Sequence, residues 1–233
     1  MDNSLIDLCE IKEDMQEFKK IMLMYNSALK EIKTKIDIIS NEFQMLYKYN
    51  PIEHVKTRIK SRDSIVKKLK NKGFEVTYQN LVNELDDVAG IRIVCSFIPD
   101  IYRMVEMFDR SSDIKIIEKK DYIKNPKESG YSSYHLIALV PVSFSSGLVN
   151  IKVEIQIRTI AMDFWASLEH KIKYKYEENL PKNLSKELIE CSKMINKLDR
   201  KMSKLGNNLM EEFENDLKYN KKNKKKRFEM VKC

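Results

Sequence analysis

Glu154, Gln156 and Arg158 stand two residues apart in the run Val149 to Thr159, Val-Asn-Ile-Lys-Val-Glu-Ile-Gln-Ile-Arg-Thr. An acid, an amide and a guanidinium at that spacing can form one wall of a pocket. Val149, Ile151, Val153, Ile155 and Ile157 alternate with them without a break, so in a strand the apolar side chains face one way and the polar ones the other. An ordinary antiparallel strand with a solvated outer side would carry the same alternation, and the run alone leaves both readings open. A second acidic element, Asp86-Asp87, heads the segment Asp-Asp-Val-Ala-Gly-Ile-Arg, where a helix is expected to give way to a strand. A carboxylate there can point across the sheet end towards Glu154. Two carboxylates from separate strands suit Mg²⁺, which takes one or two of them and leaves its other positions to water and substrate phosphates. The same Asp-Asp pair would equally start a turn.

Two further groups carry charge or rings at useful spacing. Arg58, Lys60, Ser61, Ser64 and Lys68 form R-x-K-S-x-x-S-I-x-x-K on a segment read as helical, where positions 60, 64 and 68 share a face and set two cations around a hydroxyl. That arrangement suits a polyphosphate, and a solvated basic helix would look much the same. Gly130-Tyr131-Ser132-Ser133-Tyr134-His135 opens a strand after a polar loop containing Lys124, Lys127 and Glu128. Tyr131 there can stack on a base or close the core as an aromatic lid, and His135 can meet a phosphate or hydroxyl. Trp165, the single tryptophan, falls among Phe164, Leu168 and Ile172 and reads as core.

These groups need a scaffold. Residues 4 to 49 contain no Gly or Pro and repeat apolar residues at helical spacing, among them Phe18, Tyr25, Leu29, Ile32 and Ile36. After Pro51 the spacing of Val55, Ile59, Val66 and Leu69 predicts a second helix over 52–71, followed by a short one near 77–85. Strands are expected at 90–97, 114–118, 133–142 and 149–158, with a helix over 99–110 and a hairpin turn at Ser143 to Gly147. Helices return at 159–178 and 183–216. The fold class is α/β (α+β): a mixed sheet wrapped by long N- and C-terminal helices. The expected divisions are an N-terminal helical segment (1–50), a central domain (51–178), a C-terminal helix (179–217) and a basic tail (218–233) expected to lack order.

Composition narrows the function. The chain has 233 residues, 42% hydrophobic and 33% charged, with a net charge of +8, so it can bury a core and favours anionic partners: nucleotide phosphates, RNA or a membrane surface. The Lys-rich tail can contact RNA or remain solvated. Four separated cysteines and no basic-apolar leader point to a reduced, cytoplasmic protein, and no apolar stretch approaches the roughly 20 residues that cross a bilayer. Five isolated glycines exclude G-x-G-x-x-G and G-x-x-x-x-G-K-[ST] loops, so any phosphate must be held mainly by side chains. Three histidines without H-E-x-x-H spacing exclude zinc hydrolase clusters, and a metal here would be hard and oxygen-bound.

In their order and spacing, R-x-K-S-x-x-S-I-x-x-K, D-D-V-A-G-I-R, G-Y-S-S-Y-H, V-E-I-Q-I-R-T and M-D-F-W-A-S-L-E-H-K resemble the RelA/SpoT-homologue (p)ppGpp synthetases over roughly residues 15 to 210, closest to the small, RelQ-type enzymes. The resemblance implies a nucleotidyltransferase-like sheet of about five strands in the 51–178 domain. It also implies transfer of the β,γ-pyrophosphate of ATP to the ribose 3′-hydroxyl of GDP or GTP, without hydrolase activity, because the His-Asp pair of the hydrolase domain does not occur. Asp87 and Glu154 would then hold Mg²⁺, with Glu154 as general base. Arg58 would lie on the adenine, and Lys60, Ser64, Lys68 and Arg92 would contact the ATP phosphates. Tyr131 would stack on guanine, with Lys127, His135, Gln156 and Arg158 around the acceptor and the transferring group. The family further implies a homotetramer built through terminal helices, with a cleft for an allosteric alarmone. Ser129 and Ser132 depart from the Asn and Arg that relatives often carry beside the Gly-Tyr, which leaves the choice among GMP, GDP and GTP open. Two other classes compete: an RNA-binding regulatory protein on an inactive synthetase core, recruiting single-stranded RNA, and a helical scaffold. A polymerase-β-type transferase would need Gly-Ser followed by D-x-[DE], and neither element occurs.

Overall fold

The computed structural model describes the backbone of residues 3–176 and 180–230 and the side chains of 16–176 and 180–206. Its elements are α1 (Asn3–Tyr47), β1 (Ile52–Ile59), α2 (Arg62–Asn71), α3 (Tyr78–Glu84), β2 (Ala89–Cys95), α4 (Ile98–Arg110), β3 (Lys115–Asp121), β4 (Tyr134–Phe144), β5 (Gly147–Thr159), α5 (Ile160–Lys175) and α6 (Lys182–Met230). The five strands form one sheet in the order β1-β2-β5-β4-β3. β2 and β5 run parallel, and every other neighbouring pair is antiparallel.

The alternation in β5 sorts its two faces as expected. Ile151, Val153, Ile155 and Ile157 are buried in the main core. That core closes under α1, which contributes Tyr25, Ala28, Leu29, Ile32 and Ile36, and under α4, which contributes Ile101, Met104, Val105 and Phe108. Both helices place apolar residues three and four apart on one stripe. The opposite face of the sheet, bearing Glu154, Gln156 and Arg158, is therefore free of the core. The β4–β5 hairpin turns through Ser145 and Ser146, with Gly147 at φ +121°, a conformation that only glycine adopts without strain.

The helix expected over 52–71 is corrected to strand β1 followed by helix α2. Val55 and Ile59, four apart, fit a helix turn and two strand periods equally; beyond a register shift between Ile52 and His54, Val55, Thr57 and Ile59 alternate as a strand does. Ser61 then caps α2, its hydroxyl accepting from the Ser64 amide, which fixes the helix start beyond Lys60. Lys60 thus lies off the helix that carries Ser64 and Lys68. At the other terminus no Gly or Pro follows Gly206, and the α6 backbone continues past 216 through the basic segment to Met230. Residues 231–233 of the expected tail lie outside the described residues.

α6 docks on the rest of the chain with polar groups. Ser192, Asp199 and Ser203 are buried, while Met194, Leu198, Met202 and Leu205 of the same helix are roughly half exposed. Asp199 accepts a hydrogen bond from Thr159 Oγ1 at 2.7 Å, and Ser203 Oγ accepts from the Ile98 amide at 3.2 Å. Burial pushes the Asp199 carboxyl above the usual carboxylate range, against the lowering effect of the Thr159 hydroxyl and Arg200.

Replacing Ile155, fully buried in the sheet centre, with Ala should cost about 2–5 kcal/mol in chemical denaturation. Leu148→Ala, at an exposed hairpin position, should stay within about 0.5 kcal/mol. A second outcome concerns pH. A carboxyl whose folded pKa is raised binds protons more tightly when folded, so its contribution falls as pH rises from the unfolded pKa through the folded one. Asp199→Asn should therefore gain melting temperature relative to the parent as pH increases from 4 to 8, measured by calorimetry.

Candidate active site

Strand register builds the site. Arg58 of β1 faces Gly90 of β2, which faces Glu154 of β5; in the next row Lys56, Arg92, Gln156 and His135 line up across β1, β2, β5 and β4. Gly90 leaves a gap in the first row. A Cβ there would stand 3.2 Å from Arg58 Nε and 3.4 Å from its Cγ, so the arginine lies over the glycine and reaches Glu154 Oε2 at 3.8 Å. A cleft of about 210 Å³ opens at this point, lined by Lys56, Thr57, Arg58, Gly90, Ile91, Arg92 and Gln156.

Asp87 precedes β2 and is met by two cations. Lys60 Nζ and Lys68 Nζ each lie 2.7 Å from Asp87 Oδ2, one from the β1–α2 junction and one from α2. Burial alone would raise the Asp87 carboxyl, but the two lysines hold it below its usual value. Lys60 and Lys68 therefore do not share a helix face, because Lys60 precedes the Ser61 cap of α2; they meet at Asp87 from the β1–α2 junction and from α2. Ser64 instead bonds Ser61 at 2.8 Å in the first turn of α2. Asp86 turns away and takes Lys152 Nζ at 2.9 Å; that lysine also donates to the Asn83 carbonyl and so ties the loop before β2 to β5.

Glu154 is the second carboxylate. Gln156 Nε2 donates to its Oε2 at 2.8 Å, and His135 Nδ1 lies 3.2 Å from its Oε1. Burial would raise its pKa; the His135 and Gln156 contacts overcome that and hold it below the usual carboxylate range, while the nearby charge of Asp87 opposes them. The network continues from His135 Nε2 to the Tyr131 hydroxyl at 2.8 Å, and Arg158 NH2 donates to that hydroxyl at 2.6 Å and to Gln156 Oε1 at 3.1 Å. Lys127 Nζ and the Arg158 guanidinium lie 5.2 and 5.0 Å from the Tyr131 ring centroid, within cation–π range. Tyr122 packs edge-on against Tyr131 and His135.

One member of this cluster is not among the residues singled out from sequence. Asp163, in the first turn of α5, accepts from both Arg92 NH1 (3.0 Å) and Arg158 NH1 (3.1 Å) on the same oxygen. Its signal lies in the M-D-F-W segment, which begins three residues after Thr159, whose hydroxyl caps α5 by accepting from the Met162 amide. Burial and the like charge of Arg158 weaken the hold of Arg92 on its proton, with Asp163 opposing. Trp165 is core, as expected, and donates its indole N–H to the Leu188 carbonyl of α6.

Three buried side-chain atoms among the described residues have no hydrogen-bond partner: Asp87 Oδ1, Arg92 Nε and Arg158 Nε. All three belong to this site. A buried acceptor and two buried donors left open at one place are groups arranged for something not in the chain itself. Asp87 and Glu154 provide the carboxylate oxygens that suit a hard divalent cation, and the guanidinium groups suit phosphate oxygens.

Against known proteins, a family model described as a region found in RelA / SpoT proteins matches residues 57–179, a span that holds Arg58, Asp87, Arg92, Tyr131, Glu154 and Asp163. The chain is 47% identical to the GTP pyrophosphokinase YwaC of Bacillus subtilis (strain 168) over 87% of its own length and 96% of that protein. It is 36% identical to the GTP pyrophosphokinase YjbM of the same organism, over 85% of its own length and 92% of the relative. Among solved structures it is similar to the small alarmone synthetase 1 from Bacillus subtilis bound to its product pppGpp, with a TM-score of 0.78, 36% identity and coverage of 83% of this chain and 98% of that one. Small alarmone synthetase 2 from the same organism superposes with a TM-score of 0.76 at 46% identity, covering 82% and 99%.

Lys68→Met leaves Asp87 with one cation and should move its carboxyl titration upward in a ¹³C NMR pH series. A midpoint that stays in place would mean that Lys60 alone holds it. Because a depressed carboxyl stabilises the fold above its unfolded pKa and loses that contribution as pH falls through the folded one, the variant should also unfold at a less acidic pH than the parent.

Proposed function

The chain belongs to the RelA/SpoT family and, within it, to the small alarmone synthetases, and on that premise we propose how its own residues make the alarmone. The ribose 3′-hydroxyl of GDP or GTP, or of GMP, attacks the β-phosphorus of ATP. The bond from that phosphorus to the α,β-bridging oxygen breaks, AMP leaves, and the acceptor carries a 3′-pyrophosphate. The observation that carries this reading is the cluster of unpartnered buried atoms on Asp87, Arg92 and Arg158 beside the Glu154 carboxylate.

Glu154 serves as general base and takes the 3′-hydroxyl proton. Its lowered pKa keeps it ionised at neutral pH, and one of its oxygens exchanges a present partner, His135 or Gln156, for the substrate. Arg92 and Arg158, held side by side by Asp163, turn their free Nε groups to the transferring phosphates, while Lys60 and Lys68 meet the ATP phosphates near Asp87. Arg58, exposed at the cleft rim above Gly90, lies on the adenine. Ser64 would reach a phosphate from the first turn of α2. Guanine takes the face of Tyr131 now covered by cations, with Lys127, His135 and Gln156 around the acceptor ribose and phosphates. Asp87 and Glu154 would hold Mg²⁺, which when bound neutralises charge on the β- and γ-phosphates. The residues themselves act mainly by alignment and preorganised charge.

The protein would work in the cytoplasm; no helix among the described residues is long and apolar enough to cross a membrane. Self-association as a homotetramer is supported by the half-exposed Met194, Leu198, Met202 and Leu205 of α6 and by Ile160, Phe164 and Leu168 of α5. An allosteric alarmone bound between copies would accompany such an assembly. Lys193, Lys197, Arg200, Lys201 and Lys204, gathered along α6, support contact with single-stranded RNA as an accessory property. The intact carboxylates and arginines favour a working synthetase over an inactive RNA-binding core.

Purified protein incubated with Mg²⁺, labelled ATP and each of GMP, GDP and GTP should yield AMP and a 3′-pyrophosphorylated guanosine nucleotide, separable by chromatography. Absence of both products, also with alarmone added, would overturn the reading. Glu154→Gln should lower kcat by about 10²–10⁴-fold while binding of a non-hydrolysable ATP analogue stays close to that of the parent. Retained turnover would remove Glu154 from the base role.

A further inference from the structure

The turn that carries Tyr131 is held from both sides. Inside the site its phenol is fixed by Arg158 and His135. Within the turn, the Gly130 amide donates to the Lys127 carbonyl at 2.8 Å and the Lys127 amide to the Tyr131 carbonyl at 3.1 Å, so Lys127 and Tyr131 move as one unit. Outside, Ser192 Oγ of α6 donates to the Gly130 carbonyl at 2.6 Å. Asn196 Nδ2 adds longer contacts to Ser192 Oγ (3.4 Å) and Ser132 Oγ (3.5 Å).

This use of Ser192 is particular. A serine inside a helix commonly returns its hydroxyl to a carbonyl one turn back; here the hydroxyl reaches a loop 62 positions away in sequence, and the residue is only 3% exposed. The approach is so close that a Cβ on Gly130 would stand 2.6 Å from Ser192 Cβ and Oγ, and Gly130 has φ +87°. Only a glycine fits between the turn and the helix, so the turn lies directly against α6. Ser192 also lies outside residues 57–179, the span of the family model, so no motif of the synthetase region contains it.

We infer that Ser192, supported by Asn196, is a positioning residue for the acceptor nucleotide: it pins the Gly130–Tyr131 turn to α6 and thereby sets the ring that stacks on guanine and the ammonium of Lys127 beside it. The inference rests on the assignment of Tyr131 to the acceptor. Its prediction is selective, because the groups assigned to ATP are held by acids outside α6: Arg58 of β1 by Glu154, Lys60 of the β1–α2 junction and Lys68 of α2 by Asp87, and Arg92 and Arg158, which turn to the transferring phosphates, by Asp163 of α5. Ser203 supplies the control: it lies on the same buried seam of α6 and accepts from the Ile98 amide, away from the turn.

Steady-state kinetics of the full chain with ATP and GDP or GTP, read beside melting temperature, test it. Ser192→Ala should raise the acceptor KM about fivefold and leave the ATP KM and kcat within about twofold. Ser203→Ala should lower the melting temperature by a similar amount and change neither KM. Equal shifts of both KM values in Ser192→Ala, or no shift beyond that of Ser203→Ala, would overturn the inference. Should Ser192→Ala fail to fold, Asn196→Ala carries the test: a rise in the acceptor KM alone supports the tether, and an unselective change or none sinks it. Tyr131→Ala run in parallel separates the two levels. If it weakens the acceptor and Ser192→Ala does not, the tether fails while the acceptor assignment stands; if it weakens ATP instead, the assignment falls and the inference with it.

Discussion

The parallel pairing of β2 with β5 is the constraint on which the rest depends. It sets Gly90 beside Glu154, Arg92 beside Gln156 and Val94 beside Arg158, joining segments that lie far apart in the chain. A parallel pair cannot be closed by a tight turn, so α4, β3 and β4 must intervene. A slip of one residue would send Glu154, Gln156 and Arg158 into the core and bring Val153, Ile155 and Ile157 to the opposite face. The apolar face of β5 therefore enforces the register that brings the polar groups of the candidate site together. Core packing and the arrangement of that polar cluster are coupled through the pleat of a single strand.

On that frame the site collects more cationic donors than its own acids can satisfy. Asp163 serves two guanidinium groups with one oxygen, and Asp87 serves two ammonium groups with one oxygen. Each sharing leaves donors or an acceptor open, and those openings are buried. Unsatisfied buried groups cost stability unless something outside the chain completes them. A polyanion with a hard cation is complementary to both kinds of opening at once, which accounts for a polar site of this size persisting without a glycine-rich phosphate loop.

Much of the site is legible in the sequence because its residues repeat with the period of a strand. Glu154, Gln156 and Arg158 are recognisable as one face, and the place of Asp87 at the start of β2 follows from the segment around it. β1 reads as a helix because Val55 and Ile59, four apart, fit a helix turn as well as a strand's alternation, and only pairing with β2 reveals the strand. Asp163 is hidden for a different reason: its role comes from the contact of α5 with two arginines on separate strands, and no local pattern encodes that. The polar seam of α6 is hidden for a third reason. Leu188, Leu198, Met202 and Leu205 have the spacing of an inward stripe, yet Leu198, Met202 and Leu205 face outward while Ser192, Asp199 and Ser203 are buried against the rest of the chain. Periodicity identifies a helix and its two sides, but which side meets the rest of the chain depends on the partner it meets.

That reversal gives α6 an attachment with a thermal character unlike that of α1. Apolar contacts carry a large heat-capacity change and weaken on cooling, whereas hydrogen bonds such as those from Ser192, Thr159 and the Ile98 amide bury little apolar surface and lack that dependence. As temperature falls, the sheet and α1 lose part of their driving force while the seam of α6 keeps its own. The two long helices, α1 on the sheet and α6 mainly on α5 and α4, are thus fastened by forces that respond to cold in different ways.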